Sequence, residues 1–197
     1  MIVAASDRFH TAFDGVQSWH CFSAGAHYDP DNVAFGALVG VDEHHVAPGA
    51  GFDWHSHRAV TIVSWVVAGR LRHEDDGGPV RVTEPGQALV QRTGTGIRHA
   101  ETNPSTADAL QLIQLTFLAD GPTEPAIDAT APPADLGVAG FDVWRNGAVT
   151  PPARWHLFVT AGRWQRGPDV LEPGDSVRGR GAVPVDGAGE LLVCDLR

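Results

Sequence analysis

Apolar and polar residues along this chain fall into short blocks whose lengths are those of β-strands. Segments 34–41, 61–67, 80–83, 88–92, 109–117, 155–160 and 190–196 are rich in Val, Ile, Leu, Thr and Trp. Gly, Pro, Asp or Asn bounds most of them, as expected for strands closed off by turns. No window carries the apolar spacing of an amphipathic helix, and segment 15–21 is the best candidate for a short helix or turn. Across 119–133 the composition shifts to Pro, Thr, Ala and acidic residues, which is a linker signature. The pattern predicts an all-β chain with a domain over 1–118, a linker over 119–133 and a shorter domain over 134–197.

An internal repeat supports that division. Val66-Val67-Ala68-Gly69-Arg70 matches Val159-Thr160-Ala161-Gly162-Arg163 at an offset of 93 residues. Val82-Thr83-Glu84-Pro85-Gly86-Gln87 matches Val170-Leu171-Glu172-Pro173-Gly174-Asp175 at an offset of 88. Strand, tight turn, strand and Pro-Gly turn recur in the same order, so two copies of one β-unit are expected.

Composition narrows the function classes. Gly 23 and Pro 14 in 197 residues suit short strands and many turns. The net charge of −10 leaves no basic surface to neutralise phosphates, which argues against direct nucleic-acid binding. No apolar run reaches membrane-spanning length, and the first residues lack the pattern of a signal peptide. Cys21 and Cys194 have no CxxC spacing and read as unpaired thiols of a reducing cytoplasm.

The candidate chemistry lies in two pairs, His55-Ser56-His57 and His99-Ala100-Glu101. Residues at i and i+2 share one face of a strand, with Cβ atoms about 6.5–7 Å apart. Two neighbouring strands of this kind would aim three imidazoles and one carboxylate at a single point. That donor set suits one divalent first-row ion, with Fe, Mn, Co, Ni, Cu and Zn all compatible. It also leaves a position for water or substrate, as a catalytic site requires. Applying the repeat offsets to these four residues lands on Ala148, Thr150, Gly187 and Gly189, so only the first copy should hold metal. Other polar residues have plainer readings. His44-His45 is expected in a loop, His73 beside a hairpin, Trp155-His156 in a core and Glu74-Asp75-Asp76 in a solvated turn. Gly94-Thr95-Gly96 is not a phosphate loop, since no Lys follows it, and no Gly-x-Ser-x-Gly occurs.

The stretch from Pro48 through His55-Ser56-His57-Arg58, with Val66-Val67-Ala68-Gly69, His73 and Asp75, resembles the first motif of the pirin family of bicupins. Glu84-Pro85-Gly86 and Gly94-Thr95-Gly96-Ile97-Arg98-His99-Ala100-Glu101 resemble its second. The segments Trp19-His20-Cys21-Phe22-Ser23, His27-Tyr28-Asp29-Pro30 and Phe35-Gly36-Ala37-Leu38 are similar as well. The resemblance implies two jelly-roll-like cupin barrels packed face to face, the second shortened. It also implies one metal, usually iron, on His55, His57, His99 and Glu101. The family usually has Pro at Ser56, Asp or Gly at Ala59, an acidic residue at Thr61 and often Tyr at Trp65. Strand alternation would set Ala59 and Thr61 on the face of His57, where a carboxylate supporting the metal would be missing.

The function so implied is a metal-dependent dioxygenase that cleaves flavonols such as quercetin, or related enolisable aromatics, with O2. Glu101 would serve as general base, and Phe35, Phe52, Trp54, Trp65 and Thr61 would line the pocket. The alternative is a non-enzymatic metal- or redox-sensing regulator that binds a protein partner. Other cupin chemistry, such as isomerisation, comes third.

Overall fold

The structure, a computed structural model, describes residues 1–119, 121, 123–151 and 153–197. Its strands are, in chain order, β1 (Ile2–Val3), β2 (Phe9–Phe13), β3 (Val16–His20), β4 (Leu38–Val46), β5 (Gly51–His57) and β6 (Val60–Ala68). There follow β7 (Leu71–Asp75), β8 (Arg81–Thr83), β9 (Ala88–Arg92), β10 (Ile97–Thr102), β11 (Leu110–Leu118) and β12 (Ala126–Thr130). The last are β13 (Ala134–Asp135), β14 (Ala139–Val149), β15 (Arg154–Arg166), β16 (Asp169–Leu171), β17 (Ser176–Arg180) and β18 (Val185–Leu196). Among the described residues there is no α-helix, and the all-β expectation holds. Two compact units emerge. An N-terminal unit contains Phe9–Ala34 and Leu38–Ala131, and a C-terminal unit contains Pro132–Arg197 with Met1–Arg8 and Phe35–Ala37.

The N-terminal unit sets a seven-stranded sheet, ordered β12-β9-β6-β11-β4-β3-β2, against a four-stranded sheet, ordered β5-β10-β7-β8. Val16, Val46, Val66, Leu89, Leu110 and Leu112 from the first sheet meet Leu71 and Phe52 from the second. Period-two alternation drives this arrangement, because each strand turns one apolar row inward. Leu112 is 1% exposed, so Leu112→Ala would remove fully buried methyls and cost about 2–5 kcal/mol.

Four expectations are corrected within this unit. Segment 15–21 is strand β3, because Val16 and Ser18 are buried while Gln17 is exposed, a period of two. Asp14 and Gly15, at φ 38° and 83°, form the two-residue turn that pairs β3 with β2. His44-His45 lies in β4, where alternation buries His44 and exposes His45. Segment 34–41 becomes strand only from Leu38, since Phe35–Ala37 belongs to the other unit. The composition of 119–133 hides β12, which pairs with β9 from Ala126↔Arg92 to Thr130↔Ala88. Asp120 and Pro122 of that segment lie outside the described residues.

The C-terminal unit is one sheet, ordered β1-β17-β15-β18-β14-β13, with β16 paired to β15. Its core gathers Val149, Trp155, Leu157, Val159, Trp164, Leu171, Val177, Val185, Leu191 and Val193. The repeat predicted from sequence recurs here bond for bond. In the first copy Gly86 N donates to Val66 O (2.9 Å), Val66 N to Gln87 O (3.1 Å) and Gln87 N to Glu84 O (3.1 Å). In the second, Gly174 N donates to Val159 O (2.9 Å), Val159 N to Asp175 O (3.0 Å) and Asp175 N to Glu172 O (3.0 Å). Gly69 and Gly162 match in the same way. Both have positive φ, and a Cβ on either would come within 2.5 Å or less of a carbonyl oxygen of the facing strand.

Candidate metal centre

The centre is built on the antiparallel pair β5–β10. The register Ile97↔His57, Arg98↔Ser56 and His99↔His55 places His55, His57 and His99 on one face. Their ligand-capable nitrogens all lie within 4.8 Å of one another. His55 and His99 direct Nε2 at each other across 2.9 Å, and the His57 ring stands edge-on to both, with centroids at 4.8 and 5.1 Å. Ligands at right angles about an ion with bonds of about 2.1 Å stand about 3 Å apart, so this spacing fits a bound divalent cation. Behind the ring of His55, Nδ1 donates to the Asp53 carbonyl at 2.7 Å, which leaves Nε2 bare.

The surroundings keep the imidazoles in the form that binds metal. Burial first, and then the neighbouring His55, His73 and His57, push His99 down to about 3. His57 is lowered by burial and by His55. His73, wholly buried behind His99, is lowered to about 4 by burial, with Asp75 opposing and Arg81 and His55 adding to the shift. Neutral rings cost no proton when they coordinate.

Glu101 follows a different course from the histidines. Glu101 keeps the i, i+2 spacing from His99 on β10, in unbroken register with β7 (His99↔Asp75, Glu101↔His73), and the extra residue of the β5–β10 bulge lies on β5 between Phe52 and His55. Its carboxylate is absent from the histidine cluster and accepts hydrogen bonds from Ser64 Oγ (3.3 Å) and Gln114 Nε2 (2.7 Å) on the facing sheet. Burial raises its pKa, against the Gln114 bond, the His55 charge and the Ser64 bond. The structure therefore gathers three of the four expected ligands and holds the fourth side chain, 4% exposed, on neighbouring polar groups.

The expected pocket residues separate. Phe52 lies inside the unit, 4.9 Å from the His44 ring and 5.7 Å from Phe13. Trp54 stands on the outer face of β5, 42% exposed, with the Arg98 guanidinium 5.0 Å from its ring. Thr61 and Trp65 are buried on the face of β6 opposite Ser64, since residues two apart share a face and Ser64 is the one that reaches Glu101. Phe35 belongs to the C-terminal unit, where Arg178 stands 5.7 Å from its ring. Ala59 has φ 56°, which breaks alternation after His57, so neither Ala59 nor Thr61 continues the histidine face. The supposed loss of carboxylates at those positions does not bear on the centre.

Polar residues that sequence reasoning passed over complete the interior. Ser18 Oγ meets His44 Nδ1 at 2.7 Å, and His20 Nδ1 meets Asp42 Oδ1 at 2.7 Å. In register, His20, Asp42, Gln114 and Ser64 form one row across β3, β4, β11 and β6. The available signal was a single polar residue interrupting each apolar alternation, as Ser64 and Gln114 do. Residues 74–76 are also less solvated than expected, because Asp75 accepts from Arg81 at 3.2 Å with its side chain 7% exposed. Trp155 and His156 are wholly buried, as expected of core residues.

A β-barrel unit with three imidazoles converging on its inner face defines a cupin-type metal-binding protein. The Pirin family profile matches residues 3–116, more than half of the chain, and the chain belongs to that family. A relative from Escherichia coli K12, named quercetin 2,3-dioxygenase, is 34% identical over 114 residues, 58% of this chain and 49% of that protein. A Mycobacterium tuberculosis relative, provisionally named quercetin 2,3-dioxygenase, is 41% identical over 116 residues, 59% of this chain and 48% of that one. The chain thus matches about half the length of these relatives. The crystal structure of the Escherichia coli pirin YhhW in complex with nickel(II) shares the fold with a TM-score of 0.88. That match is 24% identical and covers 100% of this chain and 98% of YhhW. Among the described residues no helix is long and apolar enough to cross a membrane.

Proposed function

We propose that the chain is a metal-dependent dioxygenase acting on flavonols or related enolisable aromatics. The observation that carries this reading is the pair of Nε2 atoms 2.9 Å apart, with His57 alongside and the buried Glu101 carboxylate in the same interior. In this reading His55, His57 and His99 hold the ion, iron being the first candidate, and Glu101 is its fourth ligand. The ion supplies Lewis acidity, which eases loss of a proton from a substrate hydroxyl.

The chain's own residues divide the remaining work. Glu101, buried and held by neighbouring polar side chains, accepts the hydroxyl proton. Gln114 and Ser64 orient that carboxylate through their donated hydrogen bonds. Phe52, between His44 and Phe13, offers an apolar wall for an aromatic ring. O2 is the co-substrate. Cys21 and Cys194, both buried and outside any disulfide, suit a reducing cytoplasm.

The test is spectroscopic. Iron-loaded protein under air should bleach the visible absorbance of quercetin, and His55→Ala should abolish bleaching. Unchanged absorbance beside an active control enzyme would remove the dioxygenase reading. Metal-dependent capture of a protein partner without substrate consumption would favour the regulator instead.

A further inference from the structure

The C-terminal unit ends in a cavity that the chemistry assigned so far does not use, and its origin shows when the two interiors are matched row by row. In the N-terminal unit Ser64, Gln114 and Asp42 stand side by side on β6, β11 and β4, with Val66, Leu112 and His44 in the next row of that face. Anchored on Val66 and Val159 of the repeat, the matching rows of the C-terminal unit lie on β15, β18 and β14. They are Leu157, Val193 and Asp142, then Val159, Leu191 and Trp144. Every polar member of the first set has an aliphatic or aromatic counterpart in the second, except Asp42, which is matched by Asp142.

The two aspartates differ in their partners. His20 Nδ1 on β3 stands 2.7 Å from Asp42 Oδ1. On the corresponding side of Asp142 stands Pro133, just ahead of β13, which has no side-chain donor. Asp142 Oδ1 accepts from Val143 N at 2.8 Å. Asp195 lies one row further along the same face, opposite Gly140 and Trp155. A Cβ at Gly140 would come 3.3 Å from Asp195 Cβ, so the glycine keeps this space open. Asp142 and Asp195 are diagonal neighbours, about 7–8 Å apart along the sheet. Among the described residues no cationic side chain pairs with either carboxylate.

The two carboxylates border a cavity of about 270 Å3 whose other walls include Trp144, Val149, Val193 and Pro133. No Lys, Arg or His is among its described lining residues. We propose that this cavity binds a small organic ammonium ion carrying an aromatic or apolar body. Two carboxylates without a cationic partner, in a chain of net charge −10, attract a cation and repel an anion. Trp144, 37% exposed, offers a ring face to the ammonium group or to an aromatic body. A bare divalent ion fits less well, because it needs about six oxygens and the valine and proline walls offer it none. The volume takes a one-ring molecule, since pockets for drug-sized ligands run to about 300–1,000 Å3. The site lies in the unit that lacks the imidazoles, so it is independent of the metal reading.

The test is calorimetric titration of the full chain with three probes of one shape: 2-phenylethylammonium, 2-phenylethanol and 3-phenylpropanoate. The ammonium ion should bind with a Kd of about 0.1–1 mM, the alcohol at least about tenfold more weakly and the carboxylate not at all. This comparison needs no variant. Asp142→Asn and Asp195→Asn then locate the site, and asparagine keeps an oxygen for the Val143 N–H. Each should weaken the ammonium ion about 3–10-fold with the thermal midpoint unchanged, and the double variant should weaken it further. No binding of the ammonium ion by about 10 mM would overturn the proposal. So would equal binding of the ammonium ion and the alcohol, or unchanged affinity in the double variant.

Discussion

The two units share a β-plan and differ in what their matching positions hold. Around Val66 and Val159 the backbone hydrogen bonds agree to within 0.1 Å, and Gly69 and Gly162 occupy the same tight joint. The strands that carry the ligands in the N-terminal unit also have counterparts in the other. β5 pairs with β10 at His55↔His99, while Ala148 and Gly187, where the repeat offsets land, lie on the paired strands β14 and β18. At the four offset positions the C-terminal unit has Ala148, Thr150, Gly187 and Gly189, none of them an imidazole or carboxylate. A metal centre can thus be present or absent on one scaffold, because the framework comes from turns and apolar alternation and the chemistry from four side chains.

The largest expected effect exploits that difference. His99→Ala should lose about one ion per chain by elemental analysis, because it removes one of the three clustered imidazoles, the one whose Nε2 faces that of His55 at 2.9 Å. Thr150→Ala, at the exposed position corresponding to His57, should leave metal content unchanged. Equal metal content in the original chain and His99→Ala would remove the contrast between the units.

Acid stability comes next, and here the units should behave alike. Each buries one histidine outside the ligand set on a serine hydroxyl at 2.7 Å, His44 on Ser18 and His156 on Ser176. Burial lowers His44 to about 4, with smaller opposing shifts from neighbours, and lowers His156 to about 3 together with Arg178. The unfolded chain binds a proton at each near pH 6.5, which the native state refuses. Stability is therefore full above about pH 6.5 and is lost as pH falls from there through the folded values. Each histidine accounts for roughly 3–5 kcal/mol at the acid end of that window. Urea midpoints should fall between pH 7 and pH 4, and His44→Gln or His156→Gln should flatten part of the slope. A midpoint independent of pH would contradict both assignments.

The repeated glycines offer a smaller, paired effect. At Gly162 an added Cβ would sit 1.9 Å from the Ala188 carbonyl oxygen, and at Gly69 it would sit 2.5 Å from that of Ala109. Both residues also need positive φ, at 82° and 75°. Gly162→Ala and Gly69→Ala should each cost about 1–3 kcal/mol, with Gly162 the more sensitive. Thermal unfolding that distinguishes them in the opposite order would show that the two joints are not equivalent.

Much of this was legible in the sequence, and the misreadings have physical causes. Strands with a continuous apolar run, such as β6, β9 and β11, were found within a residue or so at either end. Strand β3 was missed because Val16 and Trp19 have helix-like spacing, although the Asp14-Gly15 turn before it points to a hairpin. β12 was missed because an edge strand needs few apolar residues. At the centre, spacing identified the three histidines because β5–β10 keeps regular register through them. It could not show that Ser64 and Gln114 on the facing sheet hold the Glu101 carboxylate, and the left-handed Ala59 ended an alternation that had been carried on to Thr61. Alternation predicts a shared face only while the backbone remains regular.

The smallest effect is expected at Trp54, and it tests that same rule. An aromatic side chain next to a metal ligand in sequence suggests a pocket wall. Beyond the bulge that follows Phe52, successive β5 residues nevertheless face opposite ways, so Trp54 shares the outer face with Ser56 and Arg98 while His55 and His57 face inward. Its 42% exposure and the Arg98 guanidinium 5.0 Å away describe a surface contact, worth about 0.5–1 kcal/mol. Trp54→Ala should leave zinc affinity unchanged and lower stability by about 1 kcal/mol or less. Phe52→Ala removes a side chain from the interior and should disturb both stability and any binding of an aromatic ligand. A Trp54→Ala variant with weakened zinc binding would mean that β5 does not hold this register in solution, and the inward assignment of His55 and His57 would fall with it.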